Sequence, residues 1–292
     1  MPRTLDEGFR DFLAKLTPSV TESANAQNHR ASIEQCLRNN YTVRRFFRTG
    51  SFGNGTSICG YSDVDYFASV ATANLNNDSD YSLQTMRGVL DRRFPFTGVS
   101  VRCPAVIVPF GTGRGDSHEI VPAHSRGTNS AGHEIFQIPN GGGRWMDASP
   151  DAHNAYVLSQ HQRLSNKVKQ LVRFVKAWKY YNAVPISSFY LEMRTAKYAS
   201  GESAIIYGID LQRLFTYMDD NNLPSLQDPV GVSGYIAPCA TDAKLQEARS
   251  KLATARSRID KARQAESAGN TQDAFYWWNM LFNGSFPGYY YS

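Results

Sequence analysis

Residues 50–67, Gly-Ser-Phe-Gly-Asn-Gly-Thr-Ser-Ile-Cys-Gly-Tyr-Ser-Asp-Val-Asp-Tyr-Phe, restrict most strongly what this chain can become. They follow residues 41–48, whose aromatic and β-branched side chains predict a strand ending in a tight turn. Gly50, Gly53 and Gly55 lack Cβ atoms, so backbone N–H groups there can approach a polyphosphate, with the hydroxyls of Ser51 and Thr56 as further donors. In an extended 62–67 segment side chains alternate, which puts Asp63 and Asp65 on one face and Val64 and Tyr66 on the other. Two carboxylates that close repel each other unless a cation lies between them. Mg²⁺ suits the place, because it takes oxygen ligands and bridges carboxylates to substrate phosphates. A glycine turn followed by paired aspartates therefore reads as a site for a nucleoside triphosphate and a metal.

Two commoner phosphate motifs fail on particular residues. A Walker A loop needs a lysine after its last glycine, and Gly55 is followed by Thr56 and Ser57. A dinucleotide fingerprint needs a third glycine where this chain has Ile58, and its acidic residue falls much farther along. The remaining alternative is a glycine turn before an edge strand with solvated aspartates.

At this point the sequence resembles a known family. Gly50-Ser51 followed by Ser62-Asp63-Val64-Asp65 is similar to the Gly-Ser and Asp-x-Asp signature of DNA-polymerase-β-like nucleotidyltransferases. Within that superfamily the stretch looks most like the bacterial CD-NTases, the SMODS-domain synthetases related to cyclic GMP-AMP synthase. His118-Glu119-Ile120-Val121-Pro122-Ala123 is similar to the segment carrying the third metal carboxylate, with Glu119 where the wider superfamily commonly has Asp. Residues 169–179 and 187–192 resemble the family's helical lobe, so the resemblance runs from about residue 9 to about residue 228.

The resemblance implies an α+β fold, a polymerase-β-like mixed sheet with flanking helices plus a C-terminal helical lobe, with the active site in the cleft between them. The domains implied are a catalytic core over 1–160 and a helical lobe over 161–292. It implies two Mg²⁺ ions, or Mn²⁺, held by Asp63, Asp65 and Glu119, with Gly50, Ser51, Lys176 and Ser188 on the triphosphate. The implied activity is template-independent condensation of ribonucleoside triphosphates such as ATP and GTP into a cyclic di- or trinucleotide messenger, with release of pyrophosphate, in antiphage defence. A regulator encoded nearby and a downstream effector would be its partners. The rival readings are the same chemistry on an RNA 3′ end or a small-molecule hydroxyl, and a catalytically silent nucleotide or nucleic-acid sensor.

The whole composition is compatible with this. The 292 residues can bury a sizeable core, and the net charge of +5 is a mild excess that suits polyanions without demanding them. No apolar run approaches the length of a membrane span, and the first residues lack a signal peptide's apolar core, so a cytoplasmic location is expected. The cysteines at 36, 59, 103 and 239 are too scattered for a zinc site or a disulfide framework.

Along the chain, helices are expected at 5–16, 21–39, 82–94 with Ser82 as cap, 166–180, 189–198, 203–219 and 243–268. Strands are expected at 41–48, 62–67, 99–110, 118–121 and 134–138. Residues 111–116 read as a turn, and 126–144 as a long polar loop around the short 134–138 strand. His118 should face away from Glu119, hydrogen-bonded or exposed rather than a ligand. Residues 163–179 carry six Lys or Arg and no acid. A solvated basic stripe is the plain explanation, and a phosphate-facing wall the functional one. The alanine-spaced seam of 243–268 favours packing within the chain, and the aromatic residues of 275–291 should dock.

Overall fold

The computed structural model describes residues 1–18, 20–61, 63–111 and 117–291. In chain order the first elements are α1 (Leu5–Leu16), α2 (Val20–Asn40), β1 (Val43–Arg48), α3 (Gly50–Asn54), β2 (Val64–Val70) and α4 (Ser79–Arg93). There follow β3 (Ser100–Arg102), β4 (Ala105–Pro109), β5 (Ser117–Thr128), β6 (Glu134–Pro139) and β7 (Trp145–Ala148). The remainder comprises α5 (Pro150–Arg163), α6 (Val168–Tyr181), α7 (Ser188–Ala199), α8 (Tyr207–Asp220), β8 (Leu226–Gln227), β9 (Tyr235–Ile236), α9 (Asp242–Ser267) and α10 (Thr271–Leu281). Two compact units result: Pro18–Ala155 with Val230–Ser233, and Met1–Thr17 with Tyr156–Pro229 and Gly234–Ser292. No helix among the described residues is long and apolar enough to cross a membrane.

The first unit is an α+β layer structure around a mixed sheet ordered β1-β2-β5-β4-β3, with β6 and β7 added along the far half of β5. β2 and β5 run parallel while the other neighbours are antiparallel. One face of the sheet is apolar. Val64, Tyr66, Val106, Val108 and Ile120 pack there against Ile33 and Leu37 of α2 and Leu83, Met86 and Leu90 of α4. Because strand side chains alternate, this burial forces Asp65 and Glu119 onto the opposite face.

Several sequence expectations change here. The 99–110 segment is the hairpin β3–β4, turning at Cys103 and Pro104, and not one strand. The expected 126–144 loop is shortened at both ends of its strand: β5 continues to Thr128, β6 runs from Glu134 to Pro139, and Gly141–Gly143 form the tip between β6 and β7. β5 can pair on because a register shift between Ser125 and Gly127 bends it, and Gly127 takes φ +121°, open to glycine. α4 begins at Ser79, capped by Asp78, whose Oδ1 accepts from Asp80 N and Tyr81 N at 2.8 and 3.1 Å. Ser82 is instead buried within the helix, its hydroxyl accepting from Asn76 N. The turn over 111–116 lies largely outside the described residues.

The second unit is helical. α1, which the sequence groups with residues 1–160, packs with it because Phe9 and Phe12 enter an aromatic core with Phe174, Trp278, Phe282 and Phe286. The capping box of Thr4 and Glu7 starts α1. α9 buries Ala248, Leu252, Ala255, Ile259 and Ala262, and packs on α8 and α10 of its own chain. Ile206 is exposed and serves as N-cap of α8, whereas Ile205 is buried. Tyr235 is 75% exposed, on the small β8–β9 hairpin.

Candidate active site

In the sheet unit, Asp65 of β2 and Glu119 of β5 are register partners across the parallel pair, and both are half-buried on the face opposite the α2/α4 core. Asp63 directly precedes β2 and is also half-buried. The local reason is the apolar alternation: Val64, Tyr66 and Ile120 are fully buried on the other side, which leaves no freedom to rotate the strands. His118, in register with Val64, goes into that core rather than to solvent. Its ring stacks on Tyr66 at 6.0 Å between centroids and meets Phe110 edge-on at 5.3 Å.

The glycine-rich segment is a short helix, α3, and not an open turn. Thr49 donates its N–H to Asp65 O at 2.8 Å, tying the end of β1 to the middle of β2. Gly50 then takes φ +57°, and α3 closes at Gly55, which takes φ +68° and returns its N–H to Ser51 O. Gly53 N donates to Thr49 O, so the helix's own bonding begins there. The N–H groups of Gly50, Ser51 and Phe52 have no carbonyl one turn earlier in α3. Gly50 is also required by its neighbour. A Cβ built on it would overlap the carboxylate of Asp65, with Asp65 Cγ at 2.6 Å and Cβ at 3.0 Å. Thr56, expected as a donor, is fully buried.

A cation already sits at these carboxylates. The guanidinium of Arg102, from the β3–β4 hairpin, donates through Nη2 to Glu119 Oε1 and lies 3.7 Å from Asp63 Oδ2. Among the described residues no three carboxylate, histidine or cysteine groups stand in metal-holding geometry, and Glu119 is engaged by Arg102. The donor set nevertheless fits a hard divalent ion. Every candidate donor is a carboxylate oxygen, and the guanidinium marks where positive charge is favoured.

In the helical unit, α6 and α7 present two antiparallel rungs. Lys176 pairs with Glu192, and Lys179 donates to the hydroxyl of Ser188, which also lies 3.1 Å from Tyr180 OH. The spacing explains the pattern: 176 and 179 share a face of α6, as 188 and 192 share one of α7. Lys176, assigned to the triphosphate by resemblance, is buried with a carboxylate partner, whereas the ammonium that meets Ser188 belongs to Lys179. The basic run of 163–179 is not simply a solvated stripe. Burial lowers the pKa of both Lys169 and Arg173. Sequence reasoning missed Arg102, Lys179 and Glu192; only the hairpin turn at Cys103 and Pro104 could have brought Arg102 into view.

Comparison with known proteins bears on the family and the fold. A probable cyclic nucleotide synthase of Bacillus cereus (strain VD146) is 27% identical over 175 residues, which cover 59% of this chain. The match spans 52% of that relative, about half its length. Among solved structures, CdnC of E. coli MS115-1, in complex with HORMA-deltaN, superposes with a TM-score of 0.74 at 19% identity, covering 97% of this chain and 98% of that one. The CD-NTase CdnG of Bradyrhizobium diazoefficiens, solved with GTP, gives 0.71 at 12% identity over 96% and 98% of the two chains. DncV of Vibrio cholerae, a cyclic AMP-GMP synthase solved with the linear intermediate 5′ pppA(3′,5′)pG, gives 0.66 at 13% identity over 84% and 70%. At such identities these likenesses speak for the fold, a CD-NTase nucleotidyltransferase fold. Residues 3–160, more than half of the chain, match the family model described as the Second Messenger Oligonucleotide or Dinucleotide Synthetase domain, and the chain belongs to that family.

Proposed function

We propose that the protein is a template-independent nucleotidyltransferase that joins ribonucleoside triphosphates into a cyclic di- or trinucleotide messenger and releases pyrophosphate. The observation that carries this is the placement of Asp65 and Glu119 as register partners on one sheet face, with Asp63 one step before the strand and Gly50 packed against Asp65. Family membership supports it, as do the nucleotide complexes of CdnC with ATP and CdnG with GTP. In each transfer an acceptor ribose hydroxyl attacks the α-phosphorus of a donor triphosphate, and the bond to pyrophosphate breaks.

Asp63, Asp65 and Glu119 would hold the Mg²⁺ ions. When bound, Mg²⁺ offsets charge on the triphosphate and on the leaving pyrophosphate, and makes the acceptor hydroxyl more acidic. The chain's own contribution is positioning. The N–H groups opening α3 and the Ser51 hydroxyl orient phosphate oxygens, and Asp65 is kept in place by Gly50 and by the strand register. In the helical unit, Lys179 and Ser188 take a phosphate, with Lys176 and Glu192 bracing the helices beneath them. Antiphage signalling, a regulatory protein partner and an effector that reads the product complete the proposal; CdnC was solved in complex with a second protein, HORMA-deltaN.

The test is to incubate the purified protein with four labelled ribonucleoside triphosphates and Mg²⁺, treat with phosphatase, and resolve the products by mass spectrometry. A phosphatase-resistant species with a cyclic oligonucleotide mass is expected. It should vanish in Asp63→Asn/Asp65→Asn, with the melting temperature preserved. A double variant that still makes the product would overturn the assignment of these carboxylates.

A further inference from the structure

Arg102 is not needed for the fold. Its side chain is 67% exposed, and surface ion pairs of this kind contribute about 0–1 kcal/mol. It nevertheless covers two carboxylates that are themselves much less exposed, Glu119 at 18% and Asp63 at 31%. The sheet register explains its reach. Ser100 of β3 pairs with Ile107 of β4, which pairs with Glu119 of β5, so Arg102, two residues along on the same face, crosses β4 diagonally to Glu119. A guanidinium cannot give up its proton in a protein, so its positive charge is permanent. Its planar fork matches phosphate as well as carboxylate.

We propose that Arg102 is a built-in competitor for the divalent ion, holding Glu119 and Asp63 in the nucleotide-free protein and releasing them when a triphosphate offers the guanidinium another anion. The inference rests on the metal and triphosphate reading above. Metal binding at this site is thereby coupled to nucleotide binding. An ion arriving alone must displace a cation, whereas an ion arriving with a triphosphate brings the anion that draws that cation away. The Arg102 side chain is a positioning residue, set by the hairpin turn at Cys103 and Pro104.

The experiment titrates Mn²⁺ alone into the nucleotide-free protein and reads free Mn²⁺ by electron paramagnetic resonance. Arg102→Gln should bind Mn²⁺ about tenfold more tightly than the parent. Adding Glu119→Gln to that variant should cancel the gain, and Arg102→Lys, which keeps the charge, should stay near the parent. With a non-hydrolysable ATP analogue present, parent and Arg102→Gln should differ by less than about threefold. Equal Mn²⁺ affinities for the two nucleotide-free proteins, with parent binding intact in the presence of the analogue, would overturn the role of Arg102 and leave the metal reading standing. If the parent with the analogue retains no more Mn²⁺ than the analogue alone, the metal reading falls and the competitor role with it.

Discussion

Replacing Gly50 by alanine separates two effects that the structure superimposes at one residue. The first is conformational. Gly50 has φ +57°, and placing an L-residue in that region costs about 1–2 kcal/mol. At about 2–4 °C per kcal/mol for a domain of this size, the melting temperature should fall by about 2–8 °C. The second is steric. The added Cβ would meet Asp65 not only at its carboxylate but at Cβ, 3.0 Å away, so a rotamer change of Asp65 relieves only part of the overlap and the residue must move. A displacement of about 1 Å at a positioned group is enough to cost about a hundredfold in rate. Gly60 supplies the control. It has φ +71°, and a Cβ there meets nothing within 4 Å. Gly60→Ala should therefore show a similar thermal shift without the loss of turnover. Pyrophosphate release from ATP and GTP, measured beside thermal melts of the three proteins, decides it. Gly50→Ala turning over at the parent rate, or Gly60→Ala losing as much activity, would refute the argument that close approach to Asp65 fixes this glycine.

Three further predictions concern the helical unit. Lys176→Met leaves Glu192 buried without its ammonium and should destabilise the protein by about 3 kcal/mol, the lower end of the range for a broken buried pair because Lys169 also acts on Glu192. Lys179→Ala should barely move the melting temperature yet raise the KM for nucleotide several-fold, and an unchanged KM would remove Lys179 from the phosphate contacts. His161 has its pKa lowered first by burial and then by the positive charges of Lys169 and Arg173, and its Nδ1 accepts from Lys169 N at 3.3 Å. The neutral ring is thus favoured in the folded state, and the unfolded chain binds more protons between the lowered value and the ordinary one near 6.5. Stability should be full above about pH 6.5 and decline as the pH falls toward the folded-state pKa. Urea unfolding followed from about pH 7.5 to about pH 5 should show this slope, and His161→Gln should flatten it; a variant with the parent slope would place the titration elsewhere.

Much of the site was legible because its logic is local. The alternation of Asp63, Val64, Asp65 and Tyr66 states which face is polar, and the burial of Val64 and Tyr66 bears out that alternation. α1 spans residues 5–16 as its apolar spacing indicates, and the aromatic residues near the C-terminus dock onto it. The pairing of Asp65 with Glu119 was legible only through family resemblance, since nothing in the 53 intervening positions of sequence fixes a register.

Other features were hidden for identifiable reasons. The glycine segment reads as a turn because three glycines disfavour helix. Yet Gly50 and Gly55 at positive φ start and stop a single helical turn that the tie from Thr49 to Asp65 holds in place. Lys176 and Lys179 look equivalent on a helical projection; their different fates depend on where Glu192 and Ser188 fall on α7.

By itself the sequence determined the chemistry available: a carboxylate pair on a strand, glycines that admit close approach, and a third acid on a β-rich segment. Those properties depend on residue type and on a period of two, which any strand imposes. The tertiary structure alone decided which groups meet. Strand order put Glu119 beside Asp65, a bend let β5 join two halves of the sheet, and a hairpin carried Arg102 onto the carboxylates. Such meetings arise from pairing and packing between distant segments, whose partners are chosen by burial of the whole sheet face and not by any local pattern.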